Sequence, residues 1–270
     1  MYPILVDWGP VVLPAWHTMY VVGAIAAMAI FLWASQRLMP EVLTSKLTTL
    51  YAICYVFAYL GARLLSIFIE ESEVIGITET LAALLRFGPM TFYGGAIAAY
   101  LVGTIYAIAQ KLPFATLNDA GLPAGLVALA LGRIGCFLNG DDYGKAVPLH
   151  PGDTPPWWAV TFPNLQDGIA RYPVQIFESM AVACLAVALI VWTPRLRHEF
   201  RAGAVGYIAI IGYALLRFLL EFLRDDFRGF PFGNWMSTSQ FISLVILVVA
   251  GLSIPYWIRK PPAAPSEGYS

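Results

Sequence analysis

Arg217, Glu221 and Arg224 are spaced four and then three residues apart. On a helix that spacing places two cations and a carboxylate on one face. Arg133 lies between Gly132 and Gly135, Arg63 follows Gly61-Ala62, and Glu178 closes the run Gln175-Ile176-Phe177. All of these stand inside strongly apolar sequence. Arginine's planar fork donates two hydrogen bonds at once, so arginines gathered with carboxylates in an apolar setting suit an anion with phosphate geometry. Glycines beside Arg133 let a ligand or another backbone approach closely. Asn139-Gly140 is a turn signal followed by Asp141 and Asp142. Other chemistries are poorly supported. The 3 cysteines (Cys54, Cys136 and Cys184) are far apart and show no metal spacing. A formal net charge of −1 gives no case for nucleic acid.

The elements that carry these residues are set by the solvent. Hydrophobic residues make up 59% of the 270 and charged residues 12%, with a mean hydropathy of +0.70. Soluble domains carry roughly 25% charge. A span needs about 20 apolar residues. Seven stretches qualify, at about 14–34, 48–69, 90–110, 118–138, 174–192, 204–223 and 237–257. Gly88-Pro89 and Leu122-Pro123 blur the ends of the third and fourth. The segment TETLAALLRF reads as a short interfacial helix. The expected fold class is an all-α integral membrane protein, one transmembrane domain over residues 1–257. Outer loops fall at about 70–89 and 139–173, and a disordered cytoplasmic tail at 258–270. The N-terminus lacks a basic leader, so the first apolar run is expected to stay in the membrane. Arg37, Lys46, Lys111, Arg195, Arg197, Arg201, Arg259 and Lys260 fall in one set of connections. The positive-inside rule makes that set cytoplasmic, with the N-terminus outside and the C-terminus inside.

This topology gives the polar residues a common depth. His17, Tyr20, Arg63, Tyr93, Gly94, Gly95, Arg133, Gln175, Glu178, Arg217, Glu221 and Arg224 all fall in the outer half of their spans. Arg133 lies roughly 7 Å below its exit. Asp119 is the exception, at the inner end of the fourth span. An arginine at mid-bilayer costs about 2.5 kcal/mol or more. Internal pairing, such as Arg217–Glu221 or Arg63–Glu178, would offset that cost. So many acids and bases at one depth exceed what packing needs, and the expectation for the set is a cavity that accepts an anionic lipid headgroup.

The run Gly132-Arg133-Ile134-Gly135-Cys136-Phe137-Leu138-Asn139-Gly140-Asp141-Asp142-Tyr143-Gly144 resembles the signature of the prolipoprotein diacylglyceryl transferase family, approximately G-R-x-G-N-F-x-N-x-E-x-x-G. Further segments resemble the family in order. They are Trp16 to Gly23, Gly61-Ala62-Arg63, Phe92-Tyr93-Gly94-Gly95, Asn118-Asp119, Trp158 to Pro163, Tyr172 to Glu178, and Arg217-Phe218-x-x-Glu221-x-x-Arg224. The resemblance implies transfer of the diacylglyceryl group of phosphatidylglycerol to the lipobox cysteine thiol of a preprolipoprotein. Glycerol 1-phosphate leaves, and no metal or organic cofactor is used. It implies a bacterial inner membrane location with the active site toward the periplasmic leaflet. Arg133 and Arg217 would hold the phosphate. Asn139, Asp141 and Gly144 would shape the mouth, and Glu221 with Arg224 would support it or line the peptide entrance. Tyr20, Arg63, Gly94, Gly95 and Glu178 complete the expected substrate contacts.

Four positions depart from the family pattern. Tyr93 replaces its histidine, Cys136 its asparagine, Asp141 its glutamate, and His17 stands where tyrosine is usual. Thiols react as thiolate with a pKa near about 8.5, while histidine titrates near about 6.5 and tyrosine near about 10. Tyr93 can therefore donate a hydrogen bond but is a poor base at neutral pH. His17 is the candidate to take its place, with an ordinary interfacial residue as the alternative. Two other functions fit less of the pattern. One is a phosphatidylglycerol-binding protein of the same fold with another acceptor or no turnover. The other is a lipid or solute transporter, for which the expected internal repeat is missing.

Overall fold

The computed structural model describes residues 2–9, 12–70, 76–84, 86, 88, 90–150, 152–225 and 235–258. Residues 71–75 of the expected outer loop, and the tail from Arg259 and Lys260 onward, lie outside them. Among the described residues, seven helices are long and apolar enough to cross a membrane, and the chain is a multi-pass membrane protein. They are α1 (Ala15–Leu38), α2 (Thr44–Glu70), α4 (Phe92–Ala109), α5 (Phe114–Asn139), α6 (Val174–Glu199), α7 (Ala204–Leu220) and α8 (Thr238–Ile258). The short helix α3 (Ile77–Leu84) occupies the amphipathic segment between the second and third spans.

Helix ends outrun the apolar windows where polar residues at a span's end continue the turn. The clearest case is α6, which runs to Glu199. Helix α5 carries Pro123 inside it. A proline removes one backbone bond, a loss that membrane helices accommodate when neighbours pack against the site.

The chain divides into two compact units. The smaller comprises Phe31–Leu117. Here α2 and α4 cross at closest range through glycines. A Cβ on Gly61 would lie 2.5 Å from the Gly94 carbonyl oxygen, and one on Gly94 would lie 2.6 Å from Leu65 Cβ. A Cβ on Gly95 would lie 2.8 Å from the Ala58 carbonyl oxygen. Small residues let membrane helices reach such separations, where dispersion replaces the missing hydrophobic drive.

The larger unit comprises Met1–Ile30 and Asn118–Ser270. Its core is Leu126 and Ala130 of α5, Val182, Ala186 and Leu189 of α6, and Val205 and Ala209 of α7. The first part of α1 packs on α5, where a Cβ on Gly135 would lie 3.0 Å from Met19 Cβ. A hairpin of β1 (Ile4–Asp7) and β2 (Val12–Pro14) precedes α1. Asp119 now has a structural account. Its carboxylate accepts the Gly203 and Gly206 amides at 2.8 and 3.0 Å and pairs with Arg197 at 2.9 Å. It thereby caps the N-terminus of α7, where negative charge meets unbonded amides and the helix dipole.

The loop between α5 and α6 is built from short antiparallel pairings. β3 (Val160–Thr161) pairs with β4 (Ala170–Arg171). Residues 143–147 then lie between β4 and the end of α7. On one side, the Val147 amide donates to Ala170 and the Tyr172 amide to Lys145. On the other, the Lys145 amide donates to Leu223 at 2.8 Å and the Asp225 amide to Tyr143 at 3.3 Å. Phe162 is fully buried beneath, against the rings of Phe137 and Tyr143.

Candidate active site

Within the larger unit, three arginines and three carboxylates interlock. Arg133 comes from α5 and Asp142 from the turn after it. Glu178 comes from α6, and Arg217, Glu221 and Arg224 from α7 and the 3-10 turn that follows. Arg133 Nη1 pairs with Asp142 Oδ2, and its Nε lies 3.0 Å from Glu178 Oε2 as a charge contact without hydrogen-bond alignment. Arg224 Nη2 reaches Asp142 Oδ1 at 2.9 Å, and its Nε and Nη1 lie 3.7 and 3.9 Å from Glu221 and Glu178. Arg217 Nη2 binds Glu221 at 2.7 Å. Arg133, Glu178, Arg217 and Arg224 are all buried, Glu178 with no exposure at all.

Three formal positive charges thus face three negative ones. The internal pairing of Arg217 with Glu221, weighed as the alternative to an open headgroup cavity, is present. The recorded partners of Glu178 are Arg133, Arg224 and the Tyr213 hydroxyl. Buried ion pairs persist only where further hydrogen bonds satisfy the ions. Here the start of α8 supplies them. Ser237 and Gln240 form a reciprocal capping box, the Ser237 amide donating to Gln240 Oε1 at 3.1 Å and the Gln240 amide to Ser237 Oγ at 3.2 Å. The Ser237 hydroxyl then donates to Glu221 Oε1 at 2.6 Å, and Arg217 Nη2 donates to Ser239 Oγ at 3.0 Å. Arg217 Nη1, also buried, has no hydrogen-bond partner among the described residues. It retains two N–H donors that an arriving acceptor oxygen can use.

The turn after α5 aims the acids. Gly140 takes φ +87° and accepts the Asn164 side chain at its carbonyl. Asp142 takes φ +57°, a left-handed conformation that aspartate tolerates better than most residues. That turn sends the Asp142 carboxylate back to both arginines. Asp141 instead accepts a bond from Asn139 Nδ2 at 2.9 Å, and its backbone carbonyl accepts one from Gln175 at 2.6 Å. Burial raises the Asp141 carboxyl above its ordinary value of 3.8, partly offset by the Asn139 hydrogen bond. Gly144 has no room for a side chain, since a Cβ would lie 2.6 Å from Val174 Cγ2 and against the Tyr172 carbonyl.

His17 and Tyr20 lie half-buried at the start of α1, beside Trp16, whose ring stacks on Tyr20 at 5.6 Å and meets His17 edge-on at 5.1 Å. Arg63, Tyr93, Gly94 and Gly95 belong to the smaller unit. Buried Arg63 donates from Nε to the Ala83 carbonyl at 3.2 Å, and its guanidinium lies under Gly88. Gly94 and Gly95 lie at the α2–α4 crossing. Tyr93 is half-buried in the first turn of α4.

Cys136, Asp141 and Asp142 bring ligand atoms within 4.8 Å of one another. Both Asp142 oxygens already serve arginines, so a cation there would have to break two ion pairs. Asp142, Tyr213, Ser237, Ser239 and Gln240 extend the site beyond the expected residues. Of these, Asp142 was visible in sequence as the second aspartate after the Asn139-Gly140 turn, and Ser237-Thr238-Ser239-Gln240 as a capping pattern before an apolar run.

Comparison with known proteins bears on the chemistry. The family model described as prolipoprotein diacylglyceryl transferase matches residues 3–257. A Bordetella parapertussis protein named phosphatidylglycerol–prolipoprotein diacylglyceryl transferase is 33% identical over 186 residues, covering 65% of this chain and 64% of that protein's length. Proteins of the same name from Pseudomonas putida and Methylococcus capsulatus are each 29% identical. They cover 98% and 91% of this chain, and 97% and 91% of their own lengths.

Proposed function

This chain belongs to the prolipoprotein diacylglyceryl transferase family, and from that premise we propose that it transfers the diacylglyceryl group of phosphatidylglycerol to a lipobox cysteine. The thiolate attacks the carbon of the diacylglyceryl group that carries the phosphate. A C–S bond forms and the C–O bond to phosphate breaks. The electron pair leaves on glycerol 1-phosphate, and the thiol proton passes to a base. The observation that carries this reading is the set of three buried arginines around balanced carboxylates, with Arg217 Nη1 left unbonded among the described residues. Donors fixed in an apolar site stabilise charge as it develops on a leaving oxygen, without reorganisation at the moment of reaction.

In this reading Arg133 and Arg217 hold the phosphate. Asn139, Asp141 and Gly144 form the mouth, and Glu178, Glu221 and Arg224 keep the arginines in place. His17 serves as base. In its favour, α1 packs on α5 beside Gly135, two residues from Arg133. For Tyr20, Arg63, Tyr93, Gly94 and Gly95 the support is their motifs. Tyr93 supplies a hydrogen-bond donor in place of the family histidine. The enzyme works in the bacterial inner membrane and takes its substrates from the periplasmic leaflet.

Expression in cells depleted of their own transferase tests this. Rescue of growth and of the lipoprotein mobility shift is expected, with His17→Phe abolishing both. A stably inserted chain that restores neither would sink the proposal. Rescue by the wild type and equally by His17→Phe would remove only the base assignment.

A further inference from the structure

Arg171 has no part in the mechanism above, yet it is one of the most heavily partnered side chains outside the helices. It is buried at 8% exposure, in β4. Its Nη2 binds Asp167 at 2.8 Å, and its Nη1 binds Asp225 at 2.6 Å and the Gly144 carbonyl at 3.4 Å. Its guanidinium carbon lies 4.9 Å from the centre of the Tyr143 ring. The side chain therefore spans residues 143–147 and grips the strand on their far side.

Those two strands carry the site. The central one begins one residue after Asp142, and the far one is Arg224-Asp225. Gly144 and Arg224 are bridge partners, so Asp142 and Arg224 emerge from backbones fixed relative to each other by two hydrogen bonds. Two bonds are little to hold a loop against the end of a helix, since the entropy lost on ordering each residue offsets what one hydrogen bond contributes. Arg171 adds charge-assisted bonds to both sides of that joint.

We propose that Arg171 is a positioning residue that clasps the Asp142 turn to the end of α7, and so holds Arg224, Asp142 and Arg133 in their reactive arrangement. The kinetic part of this inference rests on the transferase reading; the clasp itself does not. Arg171 touches no substrate. Its loss lowers the fraction of molecules with an assembled site. Arg217, held by Glu221 and Ser239, lies outside the clasp, so phosphatidylglycerol binds assembled and unassembled molecules alike; only the assembled ones react, and kcat then scales with their fraction.

The experiment uses the purified full chain in detergent with phosphatidylglycerol and a lipobox peptide. Arg171→Gln is expected to lower kcat about tenfold while KM for phosphatidylglycerol changes less than about threefold. Arg171→Lys keeps the charge and recovers part of the loss. Because Arg171 acts through Asp225, the Arg171→Gln, Asp225→Asn double variant is expected to lose little more than Arg171→Gln alone. In parallel, hydrogen exchange at the Lys145 and Asp225 amides is expected to quicken about tenfold in Arg171→Gln, with α6 unchanged. A folded Arg171→Gln with wild-type kcat and wild-type exchange overturns the proposal. So does a raised KM at unchanged kcat, which would mark direct lipid contact. If the wild type shows no transfer, the transferase reading fails, and the exchange measurement alone decides for or against the clasp.

Discussion

At the scale of single residues, adjacent aspartates have opposite roles. Asp142 serves two arginines, while Asp141 is half-buried beside Asn139 with its carboxyl raised. A raised folded-state pKa means the folded chain holds that proton more tightly than the unfolded one. The favourable contribution of Asp141 is then complete at acid pH, and falls as pH rises from its ordinary 3.8 through the raised value. Asp141→Asn is expected to flatten that decline, whereas Glu178→Ala leaves two arginines short of a partner and should cost about 3–5 kcal/mol. Detergent unfolding curves across pH 4–8 separate the two; equal losses in both variants would refute the division of labour. The signature run pointed to Asp141, and the acid that meets Arg133 is the next residue. Helical spacing orders Arg217, Glu221 and Arg224 reliably. Beyond Asn139 the chain turns through two left-handed residues, where periodicity carries no information about direction.

At the scale of elements, what was legible followed from apolar length and from helix period. All seven long helices and the short α3 lie where hydropathy and amphipathic pattern put them. The pairing of residues 143–147 with both β4 and the end of α7 was not legible. It consists of two- and three-residue contacts with no alternating pattern to read. Gly144 marks it, since only glycine fits under the Tyr172 carbonyl. The Gly61–Gly94 crossing is a second place where a missing side chain shapes an element. A methyl on Gly94 would meet the Gly61 carbonyl and Leu65 Cβ, so α2 and α4 must separate. Overpacking of this kind costs about 1–3 kcal/mol. Gly94→Ala is therefore expected to lower thermal stability by that amount. If Gly94→Ala is as stable as wild type but loses transfer, the glycine serves the substrate instead of the packing.

At the scale of the whole molecule, the chain carries 16 basic and 17 acidic residues, and its buried site is balanced in the same way. Three arginines and three carboxylates in apolar surroundings cancel as a set. An anionic headgroup that enters must therefore be received by donors the set leaves over, of which Arg217 Nη1 is the clearest among the described residues. A ligand that binds only the folded state stabilises it by mass action, about 2.7 kcal/mol at a hundredfold excess over its dissociation constant. Phosphatidylglycerol in nanodiscs is thus expected to raise the unfolding midpoint over phosphatidylethanolamine at equal mole fraction. Arg217→Gln should remove the increment while Arg195→Gln, an exposed arginine paired only with Glu199 among the described residues, should not. Glycerol 1-phosphate, which carries the same phosphate without acyl chains, should give a smaller increment through the same arginine. An increment that survives Arg217→Gln would place the anion elsewhere. One that phosphatidylethanolamine reproduces would mean that what the two lipids share, acyl chains and phosphodiester, supplies the binding, and not the net negative charge of the glycerol headgroup.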